Sequence, residues 1–150
     1  MAYYRNKYLV LDDDTGQTIS VLKHVGDHVF ATLVTARLAL LAELRIEMLR
    51  PEPPGGIITR QGDIDNRLKT LFDALRAPGV EQEIKPGAMA SSDTNPVFTL
   101  LDDDRLITRV SVETDRLLAP PDRSPFYTRL TIGVVLRPSR VIGGNQVLIA

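Results

Sequence analysis

At 150 residues, with 43% hydrophobic and 25% charged side chains, the chain is long enough for one domain with its own core and has an ordinary globular composition. A net charge of −1 argues against a general nucleic-acid coat protein, which carries a basic excess, but leaves room for an enzyme holding DNA through a local basic patch. The absence of cysteine excludes disulfides and thiolate zinc sites; with no secretory pattern and no apolar run near the ~20 residues of a membrane span, the expectation is a cytoplasmic protein without a membrane partner.

Residues 1–17 mix Tyr3, Tyr4, Arg5, Lys7 and Tyr8 with an apolar Leu9-Val10-Leu11, and Asp12-Asp13-Asp14-Thr15-Gly16 then reads as a turn. From 18 to 41, Leu22, Val25, Val29, Leu33, Ala36 and Leu40 trace one stripe at helical spacing, which predicts an amphipathic helix despite Gly26. His24 and His28 fall four apart on that helix, a metal-ligand spacing, but no acidic residue shares their face and the pair reads as incidental.

Residues 43–50 alternate polar and apolar, with Leu44, Ile46 and Met48 on one side, the pattern of a half-buried strand. Pro51, Pro53, Pro54, Gly55 and Gly56 end it in a loop, and Ile57-Ile58-Thr59 extends it briefly. Leu68, Leu71, Phe72 and Leu75 then recur at helical spacing, so a helix begins at Asp65 or Asn66 and stops before Pro78-Gly79. Residues 78–99 are rich in Pro, Gly, Ser and small side chains and read as a long flexible insertion. Strands follow over 106–114 and 127–136, joined by a hairpin-like connection at 119–125, and the tail from Pro138 has no evident role. The order predicts a single domain of α+β class over 1–150: a small mixed sheet of three to four strands with two helices packed on it.

Chemistry concentrates in Gly62-Asp63-Ile64-Asp65-Asn66-Arg67-Leu68-Lys69 and, downstream, Asp102-Asp103-Asp104. In an extended segment Asp63 and Asp65 share a face, and Lys69 lies one helical turn beyond Asp65. Two carboxylates held about 4 Å apart repel by roughly 4 kcal/mol at an effective dielectric near 20, a cost that a hard divalent cation would remove. The plainer alternative is that Asp65 caps the helix and the aspartate triplet is a solvated turn. Arg45, Arg60, Arg67 and Arg76 flank the acidic motif and are candidate phosphate contacts, or one part of an evenly charged surface.

The run Asp63-Ile64-Asp65-Asn66-Arg67-Leu68-Lys69, then Phe72-Asp73-Ala74-Leu75, then Asp102-Asp103 leading into Leu106-Ile107, resembles the RusA family of Holliday junction resolvases, endonucleases often encoded by phages and prophages. The likeness covers roughly residues 42–77 and 100–114. It implies a homodimeric endodeoxyribonuclease of recombination and repair that cuts branched DNA, most naturally four-way junctions, with Mg²⁺ or Mn²⁺ as cofactor. It further implies that Asp63, Asp65 and Asp103 bind the metal and that Lys69 is an essential catalytic residue, the triplet leaving Asp102 or Asp104 as substitutes for Asp103. The chain departs from the family in the insertion at 78–99, since family members join the helix to the Asp-Asp pair by only a few residues. Alternatives are a metal-dependent nuclease for other branched or single-stranded DNA, and a non-catalytic DNA-binding module of the same fold.

Overall fold

The computed structural model describes residues 9–12, 16–59, 64–88, 91–92, 95–119, 121, 124 and 127–146. In chain order its strands and helices are β1 (Leu9–Asp12), β2 (Gln17–Ser20), β3 (Leu22–Val25), β4 (His28–Val34), β5 (Leu40–Arg50), α1 (Pro54–Thr59), α2 (Ile64–Leu75), β6 (Val97–Leu101), β7 (Ile107–Arg116) and β8 (Arg129–Pro138). The strands form a β1-β2 ribbon and two three-stranded sheets, ordered β3-β4-β6 and β7-β5-β8. The class is α+β. By its contacts the chain divides into two compact units: Met1–Leu41 with Ala74–Leu106 and Leu136–Ala150, and Ala42–Asp73 with Ile107–Val135.

In the first unit, the helix expected over 18–41 is replaced by strands. β3 and β4 form an antiparallel hairpin in which Val25 opposes His28 across Gly26-Asp27, and Gly26 takes φ +56, a left-handed conformation suited to glycine. Helical spacing misled because Val29-Phe30-Ala31-Thr32 is a continuous buried run, which satisfies any periodicity. Each face of the hairpin has its own apolar cluster. Leu22, Val29 and Ala31 pack on one side, while Val25, Phe30 and Ala77 pack on the other with Ile84 against them. Strand register sets His24 and His28 on opposite faces, so they cannot share an ion.

β6 runs parallel to β4 with Phe30 opposite Val97 and Val34 opposite Leu101, and the Thr32 and Thr99 hydroxyls are 3.0 Å apart. This strand takes up residues 97–99, which composition assigns to the long loop, together with Leu100-Leu101. The insertion itself is not a free loop where it is described: Glu81–Glu83 makes a 3-10 turn, and the Val29 amide donates to the Ser91 hydroxyl at 2.5 Å. The tail also has a role. Asn145 is fully buried, its Nδ2 donates to the carbonyls of Leu38 (2.8 Å) and Arg140 (2.9 Å), and its Oδ1 accepts from the Ile142 amide (3.1 Å).

The second unit is built on β5. Leu44, Ile46 and Met48 alternate inward as predicted, with Ala42 continuing the same face, and full burial of a Leu or Ile is worth about 1.5–3 kcal/mol. β7 pairs parallel to β5 over Ala42–Arg50, and β8 lies along the other edge of β5. The stretch between β7 and β8 therefore does not close a hairpin, because β5 separates them. Ile57-Ile58-Thr59, expected to extend the strand, instead belong to α1, which starts at Pro54, where proline's fixed φ suits a first helical position. Arg50, 8% exposed, closes the strand with its Nε 3.1 Å from Glu52 Oε1.

Candidate functional site

α2 begins at Ile64, one or two residues before the predicted start at Asp65 or Asn66, so Asp65 lies in its first turn. Asp63 and Arg60 lie outside the described residues. A carboxylate in the first turn is favoured by the helix dipole, by about 0.3–1 kcal/mol. Lys69 follows one turn later on the same side, and both Asp65 and Lys69 are exposed. Neither side chain makes a hydrogen bond or ion pair with a described residue. Their heads are available to a ligand.

The acidic triplet belongs to the first unit, where β6 and the exit from α2 position it. Arg76 pairs with Leu101 as an isolated parallel bridge, and the Ala77 amide donates to the Leu101 carbonyl at 2.7 Å. The next three aspartates then diverge. Asp102 turns inward: its carboxylate is 3.0 Å from Lys23 Nζ and accepts from the Thr35 hydroxyl at 3.4 Å, while its amide donates to the Val34 carbonyl. These bonds fasten the turn to β3 and β4. Asp104 is exposed and opens the 3-10 turn Asp104–Leu106.

Asp103 is gripped by Arg105. Nε donates to Oδ1 at 3.0 Å and Oδ2 at 3.1 Å, Nη2 donates to Oδ2 at 2.6 Å, and the Arg105 amide donates to Oδ1 at 2.9 Å. These bonds hold the Asp103 carboxyl well below the usual carboxylate range, the side-chain bond from Arg105 contributing most, and they raise the Arg105 pKa in turn. Part of the plainer reading of the triplet is thus realised, because Asp103 caps a short turn.

Asp65 and Lys69 come together on one helix in the second unit; Asp103 stands in the first. Among the described residues no three His, Asp or Glu side chains converge as a cation site. The arginines divide as well. Arg45 is exposed, but its face of β5 reads Glu43-Arg45-Glu47, with Arg109 opposite Glu43 and Glu113 opposite Glu47, a mixed rather than basic surface. Arg67 is half-buried and already engaged, and Arg76 Nη1 is 3.1 Å from Glu83 Oε2. Two residues that shape the acidic turn, Lys23 and Arg105, escaped sequence reasoning. Arg105 carried a faint signal in its spacing from Asp103; Lys23, 79 residues from Asp102, carried none.

No helix among the described residues is long and apolar enough to cross a membrane. No family model, curated protein or solved structure matches the chain.

Proposed function

We propose that the protein is a metal-dependent endodeoxyribonuclease of the RusA type that cuts branched DNA, with the four-way junction as its principal substrate. The observation that carries this reading is the entry into α2. The Asp-x-Asp-Asn-x-x-Lys run presents Asp65 and Lys69 one turn apart, both exposed and held by no described partner.

The donor set of Asp63, Asp65 and Asp103 offers carboxylate oxygens alone, which suits Mg²⁺ or Mn²⁺ rather than a softer ion. Asp65 is free to ligate, whereas Asp103 would do so only after exchanging Arg105. A cation bound by these oxygens would supply a water of lowered pKa and offset charge on the phosphate. Lys69 contributes a compact positive charge beside the scissile phosphate, where negative charge grows as the bond breaks. Arg45, Arg60, Arg67 and Arg76 are the proposed phosphate contacts, although Arg67 is already engaged and Arg76 would have to leave Glu83 to serve. Such contacts orient DNA without reading its sequence. A junction has two symmetric strands to cut, so a homodimer with paired sites fits the task.

The grip of Arg105 on Asp103 favours a second reading, a DNA-binding module of the same fold in which that carboxylate serves only the turn. A panel of four-way junctions, forks, flaps and single strands, incubated with and without Mg²⁺, separates the two. Junction nicking only with metal supports the nuclease; binding without cleavage across Mg²⁺ and Mn²⁺ supports the module. Equal cutting of all branched forms would point to a broader nuclease.

A further inference from the structure

We infer that the insertion and β4 together build a stacking pocket for an unpaired DNA base. A cavity of about 560 Å³, within the size range of small-ligand sites, opens on the face of the β3-β4-β6 sheet that carries His28 and Phe30. Its floor is firm, because Phe30 belongs to the buried cluster with Val25 and Ala77, and Ile84 of the insertion packs on that cluster.

One bond ties the insertion to β4, and two more brace the insertion's own start. The Val29 amide donates to Ser91, the Gly79 amide donates to Glu83 at 3.0 Å, and Arg76 pairs with the same carboxylate. The cavity is therefore a formed feature of this unit, and the Glu83 charge on its wall is offset by Arg76.

The lining selects a flat ring. Pro78 and Pro96 offer rigid apolar surfaces, and the half-buried His28 ring lies 6.5 Å from Phe30, tilted by 40°. Aromatic and flat apolar surfaces of this kind take nucleobases without regard to sequence. Asn95 brings an amide with both donor and acceptor, which suits the edge of a base, and Lys85 brings an ammonium able to meet the attached phosphate. Both are exposed. An aliphatic ligand would use neither. A base reaches such a pocket only when it is out of the duplex, so the insertion would direct the protein to unpaired positions in DNA. The inference rests on the nuclease reading for the source of the base, not for the binding itself.

The test uses the full chain with a chelator present, so that no strand is cut. The probes are a single-stranded oligothymidylate carrying one fluorescent adenine analogue, a fully paired duplex of the same length, and thymidine monophosphate. Ala88 is an exposed lining residue, so Ala88→Trp fills the cavity at little risk to folding; His28→Ala removes the ring. Quenching of the analogue by the unmutated protein is expected, with its loss and roughly tenfold weaker single-strand binding in Ala88→Trp, the order of one lost base stack. His28→Ala should weaken binding in the same direction, and duplex affinity should stay unchanged in both. Unchanged single-strand binding, or a parallel fall for duplex, would overturn the inference. So would thymidine monophosphate competing as well as the strand, because the occupant would then be a free nucleotide. A protein that never cuts DNA but shows the Ala88-sensitive quenching would sink the nuclease reading and leave the pocket standing.

Discussion

Arg105 holds Asp103 through both carboxylate oxygens, with Nε 3.0 Å from Oδ1 and Nη2 2.6 Å from Oδ2. A carboxylate proposed as a metal ligand thus already has a cation, supplied two residues along the chain. At the proposed site Mg²⁺ and this guanidinium would compete for the same oxygens. Removing the guanidinium should favour the metal: Arg105→Ala is expected to bind Mn²⁺ roughly two- to fivefold more tightly in the absence of DNA, the scale of an exposed ion pair. Calorimetric titration measures it, and unchanged affinity would mean that Asp103 is not a ligand.

The same contact has a pH signature. A carboxyl whose folded pKa is depressed stabilises the fold above its unfolded pKa, and that contribution is lost as pH falls through the folded value. For Asp103 the folded value lies below the ordinary carboxylate range, because Arg105 hydrogen-bonds the charged form. Urea melts should therefore show Arg105→Ala slightly less stable than the unmutated protein near neutral pH. The difference should shrink in acid, once Asp103 is protonated in both proteins. A difference that grew in acid would contradict this assignment.

Asn145 is the most heavily bonded buried polar side chain described in the tail, with three hydrogen bonds and no exposure. Asn145→Ala leaves the Leu38 and Arg140 carbonyls without their donor, and each such buried group costs about 1–3 kcal/mol. The expected loss is about 2–4 kcal/mol in a urea melt. A loss below 1 kcal/mol, roughly one ordinary hydrogen bond, would mean that water replaces the amide.

Gly26 supports the β3-β4 hairpin through its positive φ, and an added Cβ would meet the Glu81 side chain at 2.6 Å. Glu81 is exposed and can swing aside, so the backbone sets the cost. Gly26→Val is expected to destabilise by about 1–2 kcal/mol, and Gly26→Asn by less, since Asn tolerates the left-handed region. Equal costs would assign the effect to crowding at Glu81.

Legibility from sequence followed how local each cause is. β5 was readable because Leu44, Ile46 and Met48 alternate with polar residues, and α2 because Leu68, Leu71, Phe72 and Leu75 keep a 3.6-residue period beside a polar face. The β3-β4 hairpin was hidden, since a strand buried on both faces shows no alternation and Val25, Val29 and Leu33 fit a helix by coincidence. β6 was hidden by its surroundings: Val97–Leu101 is short, follows a Pro- and Gly-rich stretch, and becomes a strand only by pairing with β4, far back in the chain. α1 is a Pro-Gly-Gly helix that propensity alone argues against. At the candidate site, spacing located Asp65 and Lys69 on one helix face. It could not separate Asp102 from Asp103, because which aspartate turns inward is decided by Lys23 and Thr35.

Nicking of a four-way junction with Mg²⁺ supplied or chelated, comparing the unmutated protein with Asp65→Asn and Lys69→Met, decides whether the protein is a nuclease. Both positions are exposed, so melting should shift by no more than the helix-dipole contribution of Asp65, and junction binding should be largely kept. Metal-dependent nicking by the unmutated protein is expected, with a loss of at least about a hundredfold in each variant, the scale of removing one transition-state charge contact. Nicking that persists in Asp65→Asn, or none by the unmutated protein at any Mg²⁺ or Mn²⁺ concentration, would contradict the nuclease reading.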